Sequence, residues 1–422
     1  MSPRQLKTGY FIVGGLNSFA TVYYQYDLYF FMQSAFGFDN RANLELAALN
    51  GALYTVGSIV GGKFAQRVGY FPALKLGFVV MIAAMAAGLG LDSARGQILV
   101  MAMMVIGMCF TWPTLEALIS EGEDPAGVQH MVGIYNVVWA GTGALAYFTG
   151  GAMLEHLGLK SLFYVPMAVL LGQLGLTIWL ARRATLGVVN LGVRPSSGAA
   201  SGGMEGTFEK ASAALLDEPA APEDGRTPSP EMNPRPIARA RTFLRMAWLA
   251  NPFAYVAINT LIAVMPGVAS KLGLSTMLAG FCCSLWCFAR LGAFFAFWYW
   301  SGWHYRFGWL LGAFLTMVAA FAGILLAPNV AVLVLAQILF GCAIGLIYYS
   351  SLFYSMDLSD TKGEHGGIHE AAIGVGNFAG PAVGAASLHF IPQYHSSATV
   401  AVSLLLLLGL GGLISIWRKN QG

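Results

Sequence analysis

Four ionisable side chains stand where the sequence around them is otherwise apolar, and their types limit the chemistry the chain can do. Asp27 closes Tyr23-Tyr24-Gln25-Tyr26-Asp27, Glu116 closes Trp112-Pro113-Thr114-Leu115-Glu116, Arg290 closes Trp286-Cys287-Phe288-Ala289-Arg290, and Glu370 ends Glu364-His365-Gly366-Gly367-Ile368-His369-Glu370. A carboxylate in apolar surroundings takes up and releases protons or holds a cation; a guanidinium stays charged and pairs with carboxylate or phosphate through two hydrogen bonds. Within a membrane such groups face a cavity or a partner. Each also has a plainer role open to it. Asp27 could be a helix-end residue facing water, Glu116 could pair with Arg67, Arg290 could snorkel or sit in a static pair, and the histidine segment could be a solvated helix start with acids near its N-terminus.

His365 and His369 share a face if the segment is helical, with a carboxylate beside each, so metal binding and proton sensing by His369 and Glu370 are both open. The order and spacing of these residues do not match the zincin motif, and no metal is assigned. Uncharged polar and aromatic residues supply the rest of a candidate cavity: Asn17, Asn50, Tyr54, Tyr135, Asn136, Trp139, Asn259, Trp286, Tyr348, Tyr349 and Asn377. Any one of them serves equally as helix-helix glue or an interfacial aromatic. Two apparent nucleotide motifs fail. Gly57-Ser58-Ile59-Val60-Gly61-Gly62-Lys63-Phe64 has Phe64 where a P-loop needs Ser or Thr, and Gly374-Val375-Gly376 lacks the third glycine of a dinucleotide turn. No ATP-driven chemistry and no cofactor are expected.

The elements that must position these residues are apolar runs. Of 422 residues 57% are hydrophobic and 10% charged, against about 25% charged in a typical soluble domain. At about 20 residues per crossing the first half gives spans 9–34, 44–65, 71–91, 96–119, 129–153 and 161–181. The second half gives 246–270, 274–300, 307–327, 330–355, 367–390 and 396–417. Between them, 182–245 is rich in Pro, Gly, Ser and charge and reads as a disordered linker. The three expected units are therefore 1–181, 182–245 and 246–422. The first run is followed by many others and shows no clear cleavage site, so it is expected to be retained. With termini and linker in the cytoplasm, 18 of the 23 Lys and Arg lie inside, 4 outside and 1, Arg290, within a span, as the positive-inside rule requires. The five cysteines lie in apolar runs with no paired spacing, and the basic residues form no nucleic-acid footprint. At an offset of 234, Gly107, Leu118, Gly133, Ile134, Gly150 and Leu154 match Gly341, Leu352, Gly367, Ile368, Gly384 and Leu388. Two repeats of equal sense fit a parallel-repeat carrier with its site between the halves.

The loop after the second span, Gly62-Lys63-Phe64-Ala65-Gln66-Arg67-Val68-Gly69-Tyr70-Phe71-Pro72-Ala73-Leu74, resembles the signature loop of the major facilitator superfamily, matching at Gly62, Ala65, Arg67, Gly69 and Leu74. Gln66 stands at the family's aspartate, and Tyr70 and Phe71 at its basic pair. A fainter echo, Arg306-Phe307-Gly308, follows the eighth span. Gly376-Asn377-Phe378-Ala379-Gly380-Pro381-Ala382-Val383-Gly384 resembles the family's antiporter motif, but falls in the eleventh span instead of the fifth; its expected physical role is close helix packing and a bend. The resemblance covers the whole chain. It implies an all-α integral membrane fold of twelve helices, in two six-helix bundles related by a pseudo-two-fold axis along the membrane normal. It also implies that Gly62, Gln66, Arg67 and Gly69 belong to a gating loop. The function expected is secondary active transport of a small organic solute by alternating access, with protons as coupling ion through Asp27, Glu116 or His369 and Glu370. The alternatives are a proton-independent facilitator, a solute receptor on the same fold, or a polytopic enzyme acting on lipid-linked substrate. A multi-pass monomer in the plasma membrane, or the inner membrane of a bacterium, is expected, with solute, lipid and protons as partners.

Overall fold

The computed structural model describes residues 3–123, 125–190, 234–358 and 364–420. Thirteen helices run through them: α1 (Pro3–Phe36), α2 (Asn40–Val68), α3 (Tyr70–Gly90), α4 (Ala94–Ser120), α5 (Pro125–Leu157), α6 (Ser161–Asn190), α7 (Pro234–Lys271), α8 (Thr276–Cys283), α9 (Leu285–Tyr299), α10 (Phe307–Leu325), α11 (Val330–Leu358), α12 (Glu364–Phe390) and α13 (Ser397–Lys419). Because α8 and α9 are two parts of one crossing, interrupted at Ser284, these make twelve crossings, one for each expected span. Eleven are long and apolar enough to cross a membrane on composition alone. The remaining one, α1, is diluted by Tyr23-Tyr24-Gln25-Tyr26-Asp27. Boundaries follow local chemistry. Asp39 caps α2 by accepting from the Ala42 N–H at 2.8 Å, and Ser93 and Ser275 do the same for α4 and α8. Gly69, at φ +94°, turns α2 into α3 in a single residue, in a backbone region that favours glycine.

The expected linker is shorter than 182–245 at both ends, because α6 continues to Asn190 and α7 begins at Pro234; residues 191–233 lie outside the described residues. The start of α7 is held by an aromatic corner. Phe243 is buried against Tyr305, Tyr354 and Trp417, and Arg239 donates to the Tyr305 carbonyl at 2.8 Å. A Pro, Arg and Ala-rich segment that looks like tether thus gains one apolar anchor, enough to extend a helix.

The repeat is visible in how helices pair. In the first bundle α1 packs on α5 and α6, α2 on α4, and α3 on α4 and α6. The second bundle repeats the scheme, with α7 on α12 and α13, α9 on α11, and α10 on α11 and α13. Between bundles, α2 lies against α12 and α5 against α8 and α9, the two contacts that the pseudo-two-fold exchanges. The offset of 234 also relates α1 to α7: Asn17, Phe19, Ala20 and Val22 match Asn251, Phe253, Ala254 and Val256. Large apolar side chains such as Val56, Leu404 and Leu408 remain exposed on the outer surface, where lipid would cover them.

Candidate substrate cleft

Arg290 lies on α9, two turns past the Ser284 break, and is only 5% exposed. Small residues on the neighbouring helix decide its placement. Gly341 and Gly345 of α11 let α9 approach so closely that added methyls would meet Ala289 Cβ at 2.6 Å and Ala293 Cβ at 2.7 Å. The guanidinium is clasped by two indoles, with Arg290 Cζ 4.7 Å from the Trp139 ring centroid and 4.8 Å from that of Trp286, each a cation-π contact. Trp139 comes from the first bundle and Trp286 from the second. Trp139 Nε1 is steadied by Asn136 Oδ1 at 2.8 Å, and the Tyr26 ring stacks on Trp286 at 6.1 Å. Among the described residues Arg290 has no salt bridge, and its Nε has no hydrogen-bond partner. The static-pair and snorkelling roles do not describe this residue.

An acidic pole occupies the same bundle boundary. Tyr54 of α2 donates to Glu370 Oε2 of α12 at 2.5 Å, and Glu116 of α4 lies in the electrostatic field of Glu370. The Tyr135 hydroxyl, buried on α5, points into the field of both carboxylates and has no hydrogen-bond partner. Glu116 therefore does not pair with Arg67, which is exposed at the end of α2 and has no salt bridge among the described residues. Lys7 holds that end of α4 instead. Its Nζ donates to the carbonyls of Ile119 at 2.6 Å and Glu121 at 2.7 Å and sits 3.3 Å from Glu123, a cation at a helix C-terminus. The sequence reading did not single out Lys7. Gln66 and Gly69 line a cleft of about 520 Å³ with Tyr10, Tyr70, Phe71 and Glu121, all from the first bundle, while Gly62 is half-buried on α2.

Two amide pairs complete the polar interior. Asn50 donates to Gln25 at 2.5 Å, joining α2 to α1, and Asn259 donates to Asn377, joining α7 to α12. Gln25 and Asn259 are repeat mates at the offset of 234. Tyr255, also absent from the sequence reading, lies in the electrostatic field of Arg290, Glu370 and Glu116 together.

Other candidates lie apart. Asp27 is fully buried, not at a wet helix end, and neither carboxylate oxygen has a hydrogen-bond partner. It packs against Gly150, where a methyl would collide with the carboxylate, near Tyr147 and Cys283. Asn17 is buried with its amide unbonded, so no side-chain hydrogen bond joins it to Arg290 or Glu370 among the described residues. His365 and His369 fall on the first turns of α12, and their side chains are outside the described residues. The antiporter-like segment packs helices. Added methyls at Gly376 and Gly380 would strike the Pro252 and Val256 carbonyls of α7, and Gly374, just before it, abuts Thr55 of α2.

A twelve-crossing helical protein with two like bundles and buried charged and aromatic side chains on their shared boundary is a carrier-type membrane protein. The family model of the Major Facilitator Superfamily matches residues 8–381, and the chain belongs to that superfamily. Similar solved structures include the peptide transporter POT in complex with sulfate, 16% identical with TM-score 0.68 over 99% of this chain and 95% of that one. The human organic anion transporter MFSD10 (TETRAN) is 15% identical with TM-score 0.62 over 98% and 100%. At such identity the likeness concerns the fold. No curated protein matches.

Proposed function

We propose that the protein is a secondary active transporter that moves a small organic solute bearing an anionic group, by alternating access of its two bundles, with protons as coupling ion. The observation that carries this reading is Arg290, a buried guanidinium clasped by one tryptophan from each bundle, with no carboxylate partner among the described residues. An uncompensated buried charge costs several kcal/mol, and a ligand's charge offsets that cost. A solute bound here touches both bundles, so its binding energy depends on their relative rotation. That differential is what lets a ligand shift a conformational balance.

Proton coupling is supported by Glu116 and Glu370, one from each bundle. Two carboxylates facing each other out of water repel, and one proton between them removes the repulsion. Proton binding then favours approach of α4 and α12, and proton loss favours their separation. Asp27 is the second coupling candidate. The same proposal includes two bundle units, the first ending with α6 and the second beginning with α7, a plasma-membrane location with cytoplasmic termini, and a monomer.

Flux into proteoliposomes under an imposed proton gradient tests it, with a panel of organic anions, hydroxylated solutes and amines. Anionic solutes should accumulate in the wild type and fail to do so in Arg290→Gln. Glu116→Gln or Glu370→Gln should lose uphill movement yet keep exchange. Full uphill transport in a variant neutral at Asp27, Glu116 and Glu370 would remove carboxylate coupling. A panel with no Arg290-dependent solute would remove the anion reading.

A further inference from the structure

The end of the second bundle where α13 finishes carries charge of one sign. The helices α7, α10 and α13 contain no aspartate or glutamate. Arg241 and Arg245 near the start of α7, Arg306 at the start of α10, and Arg418 and Lys419 at the end of α13 are all exposed, with no salt bridge among the described residues. Ring and helix contacts set them at one level. Phe307 stacks on Trp417 with centroids 4.5 Å apart and planes 2° from parallel, and Phe243 meets the same indole at 5.8 Å. Leu249 abuts Gly412 and Phe253 abuts Gly409, so α7 runs antiparallel to α13 and Arg245 comes level with the last turn of α13.

The outward face of α13 leads into this basic end. Val400, Leu404, Leu408, Gly411, Ser415 and Arg418 recur every three or four residues, so they share one helix face, and all six are exposed. Gly411 leaves a notch in that face. Nothing lies within 4 Å of where its Cβ would stand, and a groove of about 420 Å³ opens there, bounded by Ile414, Ser415, Arg418 and Lys419.

We infer that this groove binds a phospholipid whose headgroup carries a net negative charge. Arg418 and Lys419 donate to its phosphate oxygens, Ser415 supplies a hydroxyl beneath them, and an acyl chain enters the Gly411 notch. The stretch from Arg418 to Leu408 is about 15 Å at a rise of about 1.5 Å per residue, half of a hydrocarbon core about 30 Å thick. One leaflet's acyl chain therefore covers the apolar part of the track while its phosphate stands at the basic end. A zwitterionic headgroup would bring its own cation to a surface that already holds five and no acid. A free phosphate ester would leave the notch unfilled.

The test is native mass spectrometry of the full-length protein, titrated in detergent with dioleoyl phosphatidylglycerol or dioleoyl phosphatidylcholine in separate series. The first phosphatidylglycerol should be retained about tenfold or more tightly than the first phosphatidylcholine. Arg418→Gln with Lys419→Gln should erase that preference, and Gly411→Leu, which fills the notch, should weaken retention of phosphatidylglycerol. Arg182→Gln with Arg183→Gln removes the exposed basic pair near the end of α6, the last helix of the first bundle, and should leave the preference intact. Equal retention of the two lipids by the wild type would overturn the proposal. So would an equal loss of preference in the α6 variant, which would assign it to general positive charge, or a tight site that survives both the Arg418 and Lys419 change and Gly411→Leu. Displacement of phosphatidylglycerol by glycerol 3-phosphate at equal concentration would overturn the lipid and leave a site for the phosphate alone.

Discussion

Replacing Gly374 by alanine should tilt the conformational balance of the carrier without unfolding it. Gly374 lies on α12 where α2 of the other bundle passes, and an added Cβ would stand 2.7 Å from Thr55 Cα and 2.9 Å from Thr55 N. Ordinary van der Waals contact begins at 3.4 Å. The neighbour is backbone, so no rotamer change relieves the clash, and α2 and α12 must part by about 0.7 Å. Overpacking of this kind costs about 1–3 kcal/mol. The cost falls only on the state in which α2 and α12 are pressed together, so the ratio of the two access states should move by roughly 5- to 150-fold. Gly380→Ala is the control. Its methyl would strike the Val256 carbonyl and Thr260 Oγ1 of α7, within one bundle, so it should lower the thermal unfolding midpoint and leave the ratio alone. Spin labels at the exposed positions Lys63 and Arg306 would report the separation of the bundles in the full-length protein in nanodiscs. A folded Gly374→Ala protein with the wild-type distance distribution, or a Gly380→Ala protein with an equal shift, would refute the assignment of the α2–α12 contact to one state.

Glu155 of α5 accepts from the Met277 N–H at 2.9 Å, capping the first turn of α8 across the bundle boundary. Glu155→Ala should destabilise that closed contact by about 0.5–1 kcal/mol, a roughly two- to fivefold shift read with the same labels. Lys7→Met removes two donations to α4 carbonyls and should cost about 1–2 kcal/mol of fold stability, seen as a lower unfolding midpoint with solute affinity unchanged. Gly150→Ala should be strongly destabilising, because its methyl enters the Asp27 carboxylate. In Asp27→Ala that penalty should largely vanish, giving a coupling of about 1–3 kcal/mol in a double-mutant cycle of thermal stability. Additive effects would place Asp27 elsewhere.

Most of the fold was legible because membrane crossing imposes a length and a composition on each segment. The expected span 307–327 is met by Phe307–Leu325, and 71–91 by Tyr70–Gly90. The linker edges were not legible, since α7 owes its first three turns to the contact of Phe243 with Tyr305, Tyr354 and Trp417, aromatic partners from three other parts of the chain. The site was legible in its charges and not in their pairing. Asp27, Glu116, Arg290 and Glu370 stand out because charge is scarce in apolar runs. Partner choice is set by helix rotation, and one position along a helix turns a side chain by about 100°. Glu116 therefore lies in the field of Glu370 and forms no salt bridge with Arg67 among the described residues, although spacing alone allowed that pair.

Tyr255 and Gln25 show how a repeat could have supplied what spacing did not. Gln25 and Asn259 occupy one register of α1 and α7, each joined to an asparagine on a neighbouring helix, and the flanking Asn17, Phe19, Ala20 and Val22 recur at the same offset. Where two bundles share a plan, a position that is polar in both is held by what the plan demands, and a position that differs marks what the site demands. Asn17 and Asn251 are alike, buried and under-bonded in both bundles. Thr21 and Tyr255 are mates that differ. The threonine hydroxyl turns back to the Asn17 carbonyl at 2.7 Å within its own helix, whereas the tyrosine reaches the field of Arg290 and the two glutamates. The asymmetry in the cleft, a cation fixed to the second bundle by α9 and carboxylates divided between α4 and α12, is laid over a symmetric frame at such positions. Rotation of the bundles therefore changes the distance from Arg290 and Glu370, both on the second bundle, to Glu116 on the first, so a ligand that touches both bundles couples its binding to that rotation.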